Sequence, residues 1–254
     1  MNIIVFDTET IGLEKCFCYD IGYIVVNVES KNVLAKNEFI IEQVWNNKQL
    51  FETAYYCDKK ELYVSKMRGR KAKLVNWGYA ITQVIKDIKN FNVEGIYAYN
   101  SNFDTKVIDF NAEWYKTRNF LDYAPIFDIW GYTSELITSE LANDYVEFCE
   151  KNALISESGN IQNNADSWGK FFNGLEWNEE HTALSDTEIE SKILLYCFEN
   201  GLTPQTEYKV KKCIESNSKQ EKELIIKHND KEIVYKYTSK REYKKNGWKI
   251  ELKI

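Results

Sequence analysis

At 254 residues and 44% hydrophobic, the chain can bury a substantial core, as one large domain or as a domain with an appendage. A net charge of -6 and a pI near 5.3 exclude a uniformly basic nucleic-acid coat, though not a local basic patch. No apolar run approaches the ~18–20 residues of a membrane span, and Met1 runs straight into a strand-like segment without a signal-peptide pattern. The six cysteines include no C-x-x-C pair and are expected as reduced thiols of a cytoplasmic protein.

"NIIVFDTE" is an apolar run of strand length that ends abruptly in acids. "IGYIVVNVES" (21–30) and "NVLAKNEFII" (32–41) follow, rich in β-branched and aromatic residues, with a polar break at Glu29–Asn32 that reads as a hairpin turn. An antiparallel meander of three strands is therefore expected. Residues 43–79 are polar and aromatic with no clear periodicity. "WGYAITQVIKDIKNF" (77–91) places Ala80, Ile81, Val84, Ile85 and Ile88 at helical spacing. It leads into a fourth strand, "VEGIYAYN" (93–100), and a helix, "FDTKVIDFNAEWYK". A fifth strand is expected at "PIFDIW" (125–130), then helices near 138–152, 164–173 and 184–199. A meander followed by strand–helix alternation predicts an α/β fold, a mixed five-stranded sheet flanked by helices.

"ENGLTP" (199–204) reads as a stop, with Gly201 suited to the left-handed position after a helix and Pro204 barring its continuation. Residues 205–254 hold fourteen Lys/Arg against eight Asp/Glu, which leaves about -12 on residues 1–204. "KELIIK", "KEIVYKY" and "WKIELKI" alternate like strands, with Asn246-Gly247 a hairpin signal. A division into residues 1–204 and a basic, β-rich extension, 205–254, of two or three strands is expected.

On a strand, residues i and i+2 face the same way, so Asp7 and Glu9 present two carboxylates on one side. Unpaired they repel each other, and a divalent cation with a taste for hard oxygen ligands, Mg²⁺ or Mn²⁺, removes the conflict. D-T-E-T also suits a helix cap or turn. "AYNSNFDTKVI" adds Asp104 at a helix start just past the fourth strand, where ligands gather in mixed sheets and where a first-turn acid also suits the helix dipole. "HTALSDTEIESKILLYCFE" adds Asp186 near the start of a helix and His181, one of two histidines, in the loop before it.

These three segments resemble the motifs of the DEDD exonucleases in their DEDDh, or DnaQ-like, branch: "FDTET", "AYNSNFD" and "HTALSD", with a histidine five residues before the last aspartate. The resemblance covers about residues 1–200, in the family's motif order. "ESGNIQNNADSWGKFFNGLEW" is similar to stand-alone phage and bacterial members, which would place the protein in the host cytoplasm if phage-encoded. Tyr99-Asn100 departs from the His-Asn common in the second motif, the intervals between motifs are longer than in compact proofreading subunits, and the basic tail lies outside the resemblance.

The resemblance implies a ribonuclease H-like fold and 3′→5′ removal of nucleoside 5′-monophosphates with two divalent cations, Mg²⁺ or Mn²⁺. It implies Asp7, Glu9, Asp104 and Asp186 as metal ligands and His181 as general base. It places Thr8, Thr10, Leu13 and Asn100 near the terminal nucleotide: Thr8 at the 3′ hydroxyl, Leu13 wedged against the last base. Phe103 is a candidate to stack on a base or to pack in the core. The expected partner is a single-stranded 3′ end, DNA favoured and RNA left open, with no membrane. Two further readings stand beside this one: a proofreading subunit that acts with a polymerase or replication protein, and an inactive fold kept as a nucleic-acid-binding module. Loss of an acid or of His181 would favour the last, and none is lost.

Overall fold

The computed structural model describes residues 1–12, 16–156, 159–214, 220–228, 231–238 and 250–253. In chain order it holds β1 (Asn2–Thr10), β2 (Cys18–Asn27), β3 (Val33–Ile41), α1 (Glu42–Trp45), α2 (Lys48–Phe51), α3 (Lys60–Arg68), β4 (Lys73–Val75), α4 (Trp77–Asn90), β5 (Val93–Ala98), α5 (Asn102–Tyr115), β6 (Ile126–Asp128), α6 (Ile129–Thr138), α7 (Asn143–Lys151), α8 (Ala165–Asn173), α9 (Ala183–Glu199), β7 (Glu207–Ile214), β8 (Gln220–His228), β9 (Lys231–Thr238) and β10 (Ile250–Lys253). Two compact units divide the chain: residues 1–127 with 180–191, and residues 128–179 with 192–254. Residue 204, where the composition changes, lies inside the second.

The principal sheet is mixed and six-stranded, in the order β4-β3-β2-β1-β5-β6. The expected meander is present, with β1 antiparallel to β2 and β2 to β3, while β5 runs parallel to β1. The sixth strand, β4, comes from the stretch without periodicity and pairs in parallel with β3. Alternation along β1 decides what each face carries. Ile4 and Phe6 enter a buried cluster with Ile81, Val84 and Ile85 of α4 and Val107 and Ile108 of α5. Asp7 and Glu9, one residue out of phase with Phe6, face the other way. Burying each such aliphatic side chain stabilises by ~1.5–3 kcal/mol, which fixes β1 in register and leaves its acidic end no freedom to turn over.

Local chemistry accounts for the helix starts. Asn76 accepts the Tyr79 amide at the start of α4, and Asn164 makes a reciprocal capping box with Ser167 at the start of α8. A second apolar cluster, with Ile11, Tyr19, Ile40, Val44, Phe51 and Tyr63 at its centre, anchors the stretch 43–79 to β2 and β3.

In the second unit, Tyr145 and Trp168 stack with planes 4° apart, Phe172 also stacks on Trp168, and Phe171 and Tyr196 meet Trp168 edge-on and tilted. Gly201 has φ 95°, as its place after α9 requires. The basic extension forms a four-stranded antiparallel sheet, β10-β9-β8-β7, one strand more than the sequence suggested. The added strand is β7; the Asn246-Gly247 turn lies outside the described residues. Gly131 of α6 lets the β7 backbone approach so closely that a Cβ there would stand 1.8 Å from the Tyr208 carbonyl oxygen. Among the described residues no helix is long and apolar enough to cross a membrane. Cys16, Cys18, Cys57, Cys149 and Cys197 are free thiols.

Candidate active site

β1 and β5 run parallel side by side, and β1 continues through Asp7 to Thr10 beyond the end of β5 at Ala98. There the chain leaving β1 turns toward β2 and the chain leaving β5 enters α5, which opens a crevice at the strand ends. Asp7 and Glu9 stand at the end of β1. Asp186 comes from the first turn of α9, and carboxylate oxygens of all three lie within 4.8 Å of one another. Asp104, in the first turn of α5, is 2% exposed, and its Oδ1 accepts hydrogen bonds from the Thr8 amide at 3.1 Å and the Thr8 hydroxyl at 2.7 Å.

The electrostatics of this cluster are those of crowded, dehydrated carboxylates. Asp7 is held well above the usual carboxylate range by burial first, then by the charges of Asp104, Glu190, Asp186 and Glu9. Glu9 is pushed up to about 9 by burial, Asp186 and Asp20, with Lys59 opposing. Burial raises Asp186 to about 6, and the Ser185 hydroxyl, Lys59 and Lys66 restrain the rise. The donor set fits a hard divalent cation. Three carboxylates converge with oxygens at ligand spacing, and each disfavours the charge of the others until a positive charge is placed among them. Asp7, Glu9 and Asp186 could together hold one, and the charge of Asp104 acts on Asp7 and Glu9.

Two devices seat α9 against the sheet. The Ala183 amide donates to Asp20 Oδ2 at 2.9 Å. Gly22, directly opposite Asp7 in the β1–β2 register, leaves room for the helix backbone; a Cβ there would meet the Leu184 nitrogen at 2.3 Å. His181 lies in the loop before α9 with φ 51°. Its ring stacks on Tyr56, with centroids 4.9 Å and planes 11° apart.

The other residues singled out in the sequence are placed as follows. Thr8 spends both its amide and its hydroxyl on Asp104, so what it orders is a carboxylate. Thr10 turns its hydroxyl to the Gly12 carbonyl at 3.2 Å. Asn100 occupies the turn before α5 with φ 56°. Phe103 is half-buried against the principal core. Leu13 lies outside the described residues. Two features of the site were missed. Glu190, 4% exposed, is one helical turn after Asp186 and acts on Asp7; its i+4 spacing was the available signal. Lys59, Lys66 and Tyr56 come from residues 43–79, where no sequence pattern announced them.

No protein-family model matches the sequence, and no curated protein matches it. Solved structures do match in fold. The chain is similar to the nuclease domain of 3'hExo, a DEDDh family member, bound to rAMP, with a TM-score of 0.50, 11% identity, and coverage of 79% of this chain and 92% of that one. It is similar to a 3'-exonuclease in 3'-end specific recognition of histone mRNA stem-loop, at 0.56, 10%, 91% and 71%. A full-length 3'-exonuclease gives 0.51, 12%, 79% and 61%. The mixed sheet flanked by helices is thus the ribonuclease H-like fold found in DEDDh 3′-exonucleases.

Proposed function

We propose that the chain is a metal-dependent 3′→5′ exonuclease that releases nucleoside 5′-monophosphates from a single-stranded nucleic-acid end. The observation that carries this reading is the convergence of Asp7, Glu9 and Asp186, with oxygens within 4.8 Å of one another, at the strand-end crevice. The fold likeness to 3′-exonucleases, one bound to rAMP and one recognising an mRNA stem-loop, supports it. A phosphodiester is an anion, so an acidic crevice repels it until cations reverse the local sign. Asp7, Glu9 and Asp186, with Asp104, would hold two divalent cations, Mg²⁺ or Mn²⁺, which when bound would supply activation of water and charge compensation for the leaving oxygen.

The chain's own residues do the rest. His181 takes the proton of the attacking water, a task suited to an imidazole nitrogen. Thr8 fixes the carboxylate of Asp104 through two hydrogen bonds, and Glu190 adds a negative charge that acts on Asp7. On this reading Thr10 and Asn100 meet the terminal nucleotide, and Phe103, packed against the principal core, is the candidate to stack on a base. Retention of all four acids and of His181 at one strand end favours an enzyme over a binding module. The free thiols suit the cytoplasm.

The test is cleavage of 5′-labelled single-stranded DNA and RNA of one sequence, with Mg²⁺ or Mn²⁺, beside EDTA and Asp7→Asn controls. A ladder shortening from the 3′ end, abolished in both controls, is expected, and the faster strand names the sugar. Strands intact with either metal, but retained in a gel shift, would hand the site to the binding-module reading.

A further inference from the structure

Residues 43–79 lie outside the three motifs, yet they grip the loop of His181 at three consecutive positions. Lys59 Nζ donates to the Glu180 carbonyl at 2.7 Å. The Tyr56 ring lies parallel to the His181 imidazole, with centroids 4.9 Å apart. Lys66 Nζ donates to the Thr182 hydroxyl at 2.5 Å, while also paired with buried Glu38 at 2.7 Å. Between those grips His181 has φ 51°, a left-handed backbone that a residue with a Cβ keeps only where its surroundings impose it. Tyr56 is itself steadied: Lys59 Nζ stands 4.1 Å from its ring centroid, and Tyr55 meets it edge-on with centroids 4.8 Å apart.

A general base works only when its nitrogen lone pair points at the proton it takes, and a parallel aromatic surface constrains the plane of an imidazole on a loop. We propose that Tyr56 is the positioning residue of His181, fixing the plane of the imidazole that deprotonates water; the proposal rests on the exonuclease reading above. The Lys59 charge also acts on Glu9 and Asp186, so a change there mixes two effects. Tyr56 carries no charge at neutral pH and isolates the one.

The experiment compares the full chain with Tyr56→Phe, Tyr56→Leu, His181→Ala and the double variant Tyr56→Leu/His181→Ala. It reads kcat and KM on a single-stranded oligonucleotide with Mn²⁺, and the NMR shift of the histidine ring protons. With only two histidines in the chain, His181 is assigned by the signal that vanishes in His181→Ala. Tyr56→Phe keeps the ring and is expected to hold kcat within about twofold. Tyr56→Leu loses kcat by about tenfold or more with KM within about twofold, and adds no loss to His181→Ala. The His181 signal, displaced upfield by the ring current, moves back in Tyr56→Leu and stays in Tyr56→Phe. An unchanged kcat in Tyr56→Leu, an equal loss on the His181→Ala background, or a His181 signal indifferent to Tyr56 would overturn the proposal. A chain that leaves the oligonucleotide intact, with its His181 signal still dependent on Tyr56, would instead overturn the exonuclease reading and the base role with it.

Discussion

Asp7 feels four other carboxylates, those of Asp104, Glu190, Asp186 and Glu9. Evolution of a stable fold alone gives no reason to bury such a set, because each ionised neighbour raises the cost of ionising the next. Glu190 is the informative member, since its charge raises Asp7 although it is not one of the trio whose oxygens converge. Glu190→Gln keeps the volume and removes one charge. The metal-free variant is expected to melt higher than the parent at pH 8, while the rise in Tm that Mn²⁺ produces shrinks. A scanning-calorimetry pair, with EDTA and with Mn²⁺, reads both; a variant that melts lower in EDTA would mean that Glu190 is held by contacts worth more than the repulsion it suffers. Thr8 makes a related point. Beside the place near the substrate that the resemblance implies for it, Thr8 holds Asp104, because the amide and hydroxyl at that position on β1 point toward the first turn of α5.

At the scale of elements, the seat of α9 matters most, since that helix and the loop before it bring Asp186, Glu190 and His181. Gly22→Ala places a Cβ 2.3 Å from the Leu184 nitrogen and 2.4 Å from the Ala183 carbonyl carbon, both backbone atoms that no rotamer change can clear. The helix start has to lift. Overpacking of this kind costs ~1–3 kcal/mol, and a displacement of ~1 Å at a reacting group costs about 100-fold in rate. The variant is therefore expected to keep its far-ultraviolet circular dichroism and lose nearly all cleavage; cleavage within twofold of the parent would show that the seat is loose. The elements that the sequence revealed are those with a strong local signal. β1 and β2 are apolar, β-branched and aromatic runs of strand length, buried from Ile3 to Phe6 and from Cys18 to Val26, and α4 carries its apolar residues at helical spacing. Helix α6 went unforeseen because it is buried nearly all round, Gly131, Tyr132, Thr133 and Ser134 included, and so has no period to read. The stretch 43–79 failed for the opposite reason. Its apolar side chains Val44, Phe51 and Tyr63 come from separate short helices and meet only in the folded cluster. Asp7, Glu9, Asp104, Asp186 and His181 were singled out because three short segments resemble DEDDh motifs. The contacts of Tyr56, Lys59 and Lys66 are tertiary, and no spacing encodes them.

For the whole molecule, the raised carboxylates set the pH dependence of stability. A group whose folded pKa exceeds its unfolded one holds a proton that unfolding would release, so its contribution is present at low pH and is lost as pH rises through the folded pKa. Starting from unfolded values of ~4, the window runs to about 6 for Asp186 and about 9 for Glu9. The metal-free protein should thus lose Tm steadily between those limits, and Mn²⁺, which competes with protons for the same oxygens, should restore more at pH 8 than at pH 5. The second unit carries its own case. Burial raises Glu135 to about 7, so Glu135→Gln is expected to stabilise by up to about 3 kcal/mol at pH 8 and by nothing near pH 4; a melting curve at each pH decides it. That Asp7, Glu9 and Asp186 are gathered to hold a cation is tested most directly by titrating Mn²⁺ into the protein at pH 8 and following the free-ion signal by electron paramagnetic resonance. Saturable binding by the parent, lost or weakened at least about tenfold in Asp7→Asn, is the expected result. The same isotherm for parent and Asp7→Asn, or none for either, would contradict it.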